Sequence, residues 1–151
     1  LLEALGDARQ AARQLKDATQ IRGITQAMII WSQNNKDAYP LPSAVDVQNA
    51  TVAAEGRAKD TTANIMSLLV YNGSISAELC ISPGEVNKRI RVDDHYEFTA
   101  PKAAVKPAEA LWDPGFRCDL PALECSYATP FDKYIVEILR RVCDRRQWLL
   151  A

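Results

Sequence analysis

Several of the usual carriers of chemistry are missing from this sequence of 151 residues. It holds one histidine, His95, and none of its four cysteines forms a Cys-x-x-Cys pair, so a zinc site would need irregularly spaced thiolates alone. There is no P-loop, GxGxxG, GxSxG or HExxH, which removes the commonest nucleotide, hydrolase and metalloprotease signatures. An excess of one charge is missing too: 18 Lys plus Arg face 19 Asp plus Glu, a formal net charge of −1. A domain-wide nucleic-acid footprint would be strongly basic. No apolar run approaches the ~18 residues of a membrane span.

What is present suits a folded chain. The hydrophobic fraction of 48% and charged fraction of 25% match globular averages and argue against wholesale disorder. The length favours one domain, large enough to bury about two-thirds of its unfolded surface. The chain opens on Leu1 rather than Met, so an upstream targeting signal would lie outside it.

The residues that bear chemistry are few. His95 follows Asp93 and Asp94 and precedes Tyr96, and a His–Asp pair orients a general base. Such a base needs a nucleophile or metal nearby, and none is marked, so a turn with solvated acids is the preferred reading. The two aspartates lack the spacing of a calcium loop. Cys118 and Cys125 bracket six residues and would close a small disulfide in an oxidising compartment; two separate thiols are the alternative, and Cys80 and Cys143 stand apart. The sequons Asn49-Ala50-Thr51 and Asn72-Gly73-Ser74 are too common to fix a compartment.

The first third reads as one helix. Leu1, Leu5, Ala8, Ala12 and Leu15 recur at spacings of four and three, and Ala18, Ile21, Ile24, Met28 and Trp31 continue the stripe. Asn34-Asn35-Lys36-Asp37 and Tyr39-Pro40-Leu41-Pro42 stop it. A helix of roughly 33 residues is ~50 Å long, longer than a domain of this size is wide. The thin, Ala-Leu half before Leu15 is therefore expected to stay exposed, and the bulky half from Ile21 to Trp31 to dock.

Residues 43–60 are polar and small and read as a loop. Thr61 or Thr62 caps a second helix carrying Ile65, Leu68 and Leu69, which Asn72-Gly73 ends. Leu79-Cys80-Ile81 reads as a short buried segment. Arg89-Ile90-Arg91-Val92 and Tyr96-Glu97-Phe98 alternate polar with apolar, the best strand signal in the chain. Pro101, Pro107 and Pro114 punctuate a loop-rich stretch in which Trp112, Asp113 and Phe116 form a candidate ligand loop, since exposed aromatics beside Asp and Gly suit sugars. After Thr129-Pro130 a C-terminal amphipathic helix is expected, with Arg140, Arg141, Arg145 and Arg146 on a solvated face near its end.

Taken in order, Leu1 to Arg13, Ala18 to Ile24, Ala27 to Trp31 and Asp37-Ala38-Tyr39-Pro40 resemble the stem of a type IV pilin-like protein or type II secretion pseudopilin. There the amphipathic half of the stem closes with a polar turn and Tyr-Pro. Leu79-Cys80-Ile81-Ser82-Pro83 is similar to a pseudopilin segment, and Trp112-Asp113-Pro114 and Ser126-Tyr127-Ala128 look like motifs of planctomycete-type pilin-like proteins. The apolar membrane half and its processing site do not occur in the sequence, and the tail from Thr129 departs from the pattern.

The resemblance implies an α+β fold: a long stem helix over 1–35, a loop-rich domain over 36–128 with a small antiparallel sheet, and the helix of 129–151. It implies a non-enzymatic filament subunit with no cofactor and no metal, whose partners are other pilin or pseudopilin subunits. It implies an extracytoplasmic location, anchored to the inner membrane before assembly, in which Cys118 and Cys125 would be bonded. Leu1, Leu5, Ala8, Ala12 and Leu15 are the candidate assembly interface. An extracytoplasmic ligand- or glycan-binding domain using the Trp112 to Phe116 loop is the alternative.

Overall fold

The structure is a computed structural model that describes residues 2–83, 92 and 94–116. Helix α1 spans Leu2–Asn34, α2 spans Pro42–Val45 and α3 spans Thr62–Tyr71, with 3-10 turns at Gly56–Lys59, Ala77–Cys80 and Pro107–Glu109. The expected C-terminal helix, and with it Arg140 to Arg146, lies outside the described residues.

Helix α3 is the centre of the domain. The Thr61 hydroxyl accepts the Asn64 N–H at 3.2 Å, satisfying one orphan donor of the first turn. Ile65 to Val70 are all buried, so the helix is enclosed on every side past its first turn, where Ala63 is exposed. It ends where Gly73, at φ +69°, lets Ser74 N donate back to Leu69 O at 2.9 Å and Gly73 N to Val70 O at 2.9 Å. This is a left-handed cap that favours glycine.

The core joins α3 to the second half of α1. Ile24, Ala27 and Met28 pack with Ile65, Met66, Leu69, Val70, Ile75 and Phe116, and Trp31, Tyr39, Leu79, Cys80 and Tyr96 are half-buried around them. Past Asn34 the chain reverses through Lys36 and Asp37, both at positive φ, with Asp37 N donating to Ser32 O at 2.8 Å.

Two expectations are corrected. The stretch 43–60 is not uniformly loop: Pro42 starts α2, where its missing N–H costs nothing, and the turn Gly56–Lys59 follows. More importantly, the expected antiparallel sheet is not there, since the described residues contain no β-strand. Arg89 to Arg91 lie outside them. Tyr96-Glu97-Phe98 alternates like a strand, yet Glu97 N donates to the Asp113 carboxylate at 2.9 Å instead of to a neighbouring strand. The Tyr96 hydroxyl is anchored on Ser67, and its ring packs edge-on to Phe116 at 5.6 Å. Side chains, not a ladder, hold this segment, so the domain is helix and loop where it is described.

Candidate functional site

The most distinctive surface is the first half of α1. Residues 3–16 are all exposed, whereas Ile24, Ala27 and Met28 are buried. Direction around the helix separates the two halves further. Each residue advances about 100°, and Ala27, Met28 and Trp31 fall within about 60° of Ile24. Leu5, Ala8, Ala12 and Leu15 fall about 100–180° away from it. Leu5 is 51% exposed and Leu15 71%. The thin stripe thus faces away from the domain, and the residues of that half below Ile24, Gln10, Arg13 and Asp17, are polar.

Those polar residues line a shallow groove with Ser82, and the Ser82 hydroxyl donates to Asp17 Oδ1 at 2.9 Å. The domain touches this half of the stem through hydrogen-bonding groups on one side and leaves its apolar side open. Ala4, Ala11 and Ala18, all exposed, widen the open side.

Charge is sorted along the borders of the stripe. On one border Arg9 lies a turn beyond Leu5 and Lys16 a turn beyond Ala12, about 60–80° from Ile24, with Arg13 behind them. Asp7 and Glu3 occupy the other border, about 60–100° from Ile24 in the opposite sense. Beyond Leu15 the face turns polar at Thr19, Arg22 and Gln26, and apolar character resumes at Ile29 and Ile30, which are 45% and 56% exposed. The expectation that the whole bulky half from Ile21 to Trp31 docks is corrected here, since Ile21, Ile29 and Ile30 are exposed. The 100° arithmetic accounts for Ile29 and Ile30, because both lie about 120–140° from Ile24.

Leu1 lies outside the described residues, as do Cys118 and Cys125. The candidate ligand loop is corrected in its premise. Trp112 has no exposed surface, Asp113 is 4% exposed and Phe116 is 7%. The Trp112 indole N–H donates to Asn64 Oδ1 at 3.3 Å. Asp113 accepts Glu97 N and Gly115 N on its two oxygens, while Asp113 O accepts the Ser67 hydroxyl at 2.6 Å. These side chains close the loop onto α3 and offer no aromatic platform to solvent. Burial pushes the Tyr96 phenol up to about 12, against the lowering pull of its bond to Ser67.

A second polar node escaped the sequence reading. Asp46 is buried, and its carboxylate accepts the N–H groups of Ala50, Thr51 and Val52 at 2.8, 3.1 and 3.3 Å. Buried Lys59 donates to it at 3.3 Å and to the Asp46 carbonyl. Burial alone raises the Asp46 carboxyl, but the three N–H groups and Lys59 outweigh it and hold the group below its ordinary value. This node is structural: every donor is committed to shaping the loop. No periodicity marks it, since a lone Asp and a lone Lys thirteen residues apart carry no local signal.

An open depression of about 420 Å³ lies over this loop, between Val47, Gln48, Glu109 and Leu111. His95 is exposed on a turn. Among the described residues no group of three or more His, Cys, Asp or Glu is placed to hold a metal, and no helix is long and apolar enough to cross a membrane. No family model, no curated protein and no solved structure matches the chain.

Proposed function

We propose that this protein is a structural subunit of a pilus- or pseudopilus-like filament that assembles through the exposed face of α1. The observation that carries the reading is the outward apolar stripe of Leu5, Ala8, Ala12 and Leu15 on a stem that docks by its other face. A helix of 33 residues is about 50 Å long, while a domain of this size is about 30 Å across. Solvent gains nothing from a Leu that is mostly exposed, and burying one contributes roughly 1.5–3 kcal/mol.

The resemblance of the stem and its closing Tyr39-Pro40 to pilin-like proteins supports the same reading. The small sheet expected from that likeness plays no part in it. Placement outside the cytoplasm and subunits of the same kind as partners belong to this proposal. The alternative of a ligand domain built on Trp112 and Phe116 loses its support, because both rings are buried.

The test is the natural gene carrying Leu5→Asp in its own cell, with filaments imaged by electron microscopy and protein abundance followed by blot. The reading predicts normal abundance and no incorporation into filaments. Filaments that incorporate the variant as well as the parent would overturn it.

A further inference from the structure

We propose that Asn72-Gly73 is a covalent modification site: the junction deamidates without an enzyme, and the cap of α3 sets the rate. The inference stands independently of the assembly reading. This is the one Asn-Gly pair in the chain. Glycine is the following residue that obstructs the reaction least, since no Cβ crowds its nitrogen.

The reaction needs only water and base. A base takes the Gly73 amide proton, and the nitrogen attacks Cγ of Asn72. The new N–Cγ bond closes a five-membered succinimide, the Cγ–Nδ2 bond breaks, and ammonia leaves with a proton. Water then opens the ring. Cleavage between the ring nitrogen and Cγ restores the main chain with an aspartate. Cleavage between that nitrogen and the Asn72 carbonyl carbon leaves an isoaspartate, with the chain running through the side chain. One amide and one water are consumed, and one carboxylic acid and one ammonia are formed.

Access to the junction is open. Asn72, Gly73 and Ser74 are all exposed, and a Cβ on Gly73 would meet nothing within 4 Å beyond its chain neighbours. The restraint is conformational. Gly73 N donates to Val70 O at 2.9 Å and Asn72 Nδ2 to Leu68 O at 2.8 Å, so nucleophile and leaving group are both committed elsewhere. At Asn72 ψ is 3°, which eclipses the Gly73 nitrogen with Asn72's own nitrogen instead of its Cβ. Ring closure needs the second arrangement, so the cap must open first. Helix ends are where such opening costs least.

The product does not restore the cap. An ionised carboxylate cannot donate to Leu68 O, and it brings negative charge to the negative end of the helix dipole. Isoaspartate also adds a main-chain carbon just before Gly73, close to Ser74 N, which donates to Leu69 O, and to Ile75 in the core. An aged chain is thereby marked and loosened at the end of α3.

The test incubates the full chain in warm, mildly alkaline buffer, folded and in concentrated urea, and follows each asparagine by peptide mass mapping. Isoaspartate is counted with an isoaspartyl methyltransferase as reagent. Asn72→Gln, which would need a less favourable six-membered ring, is the control, and exchange of the Gly73 amide proton is followed by NMR. The proposal predicts that Asn72 reacts first in urea, and at least about tenfold more slowly in the folded chain. The folded rate follows Gly73 exchange, and Asn72→Gln drops to the background of the other asparagines. Asn72→Asp lowers the melting temperature by about 2–4 °C. Equal rates folded and unfolded, another asparagine reacting first in urea, or a folded rate independent of Gly73 exchange overturns the proposal. An unchanged melting temperature in Asn72→Asp overturns the loosening of α3.

Discussion

Leu15 and Ile24 lie on opposite sides of the same helix: nine residues are about two and a half turns, and Leu15 is 71% exposed where Ile24 is 7%. One helix therefore has two apolar faces with separate employment. The inner one belongs to the domain core with Met28, Ile65 and Leu69. The outer one has no employment within the described residues, which is why it bears the functional reading.

The two faces should separate cleanly in mutational energetics. Leu15→Asp is expected to change unfolding free energy by no more than about 0.5 kcal/mol, as surface substitutions do. Ile24→Ala removes buried carbon from the core and is expected to cost about 2–5 kcal/mol. Urea denaturation of the two variants beside the parent chain measures both.

Trp112→Ala should destabilise the domain by about 3–5 kcal/mol, because the ring is fully enclosed and its loss also leaves Asn64 Oδ1 without its indole donor. Differential scanning calorimetry checks the size of the effect. A Trp112 variant that kept the parent's stability would contradict the burial described above.

Acid stability should depend on Asp46. Its carboxyl titrates lower in the folded chain than in the unfolded one, so its contribution is complete above the unfolded value near ~4. It is lost as pH falls through the lower folded value. Asp46→Asn should flatten that part of the stability–pH curve. Asp46→Ala, which strands Lys59 as an unpaired buried charge, should cost about 3–5 kcal/mol at neutral pH. Denaturation midpoints between pH 2 and pH 7, read at about unit intervals, test both.

The alkaline limb should belong to Tyr96. Its phenol is raised to about 12 in the fold, against about 10 when unfolded. The neutral phenol is the stabilised form, so its contribution is complete below about pH 10 and fades as pH rises toward 12. Tyr96→Phe should remove that fading and cost about 1–3 kcal/mol below it, since Ser67 and Asp113 lose a buried partner. Phenolate absorbance against pH, in parent and variant, isolates the titration.

Much of this was legible from sequence where one local signal dominated. The Asn34 to Asp37 stop, the Thr61 cap and the Asn72-Gly73 turn depend on short-range chemistry, and the structure uses each of them. The single seam from Leu1 to Trp31 is a different case. Its ten positions average about 3.3 residues per step, shorter than the 3.6 of an α-helix, so the stripe winds from the outer face to the inner one. Periodicity read by eye joins what rotation separates.

Tyr96-Glu97-Phe98 and Trp112 misled for a related reason: their partners are remote. Tyr96 meets Ser67, Glu97 N meets Asp113, and Trp112 meets Asn64. Long-range side-chain bonds turn a strand-like pattern into an anchored loop, and an aromatic beside Asp and Gly into core. Neither leaves a trace within a few residues of itself.

The most direct test places a photo-activatable benzophenone side chain at Leu15 in the natural protein and irradiates the living cell. The account predicts a covalent adduct with another copy or a subunit of the same kind, and no such adduct from the equally exposed Val47 on the domain. Adducts from Val47 but not Leu15, or a Leu15 probe that reacts with nothing or with its own chain alone, would contradict the claim that the outer stem face is where this protein assembles.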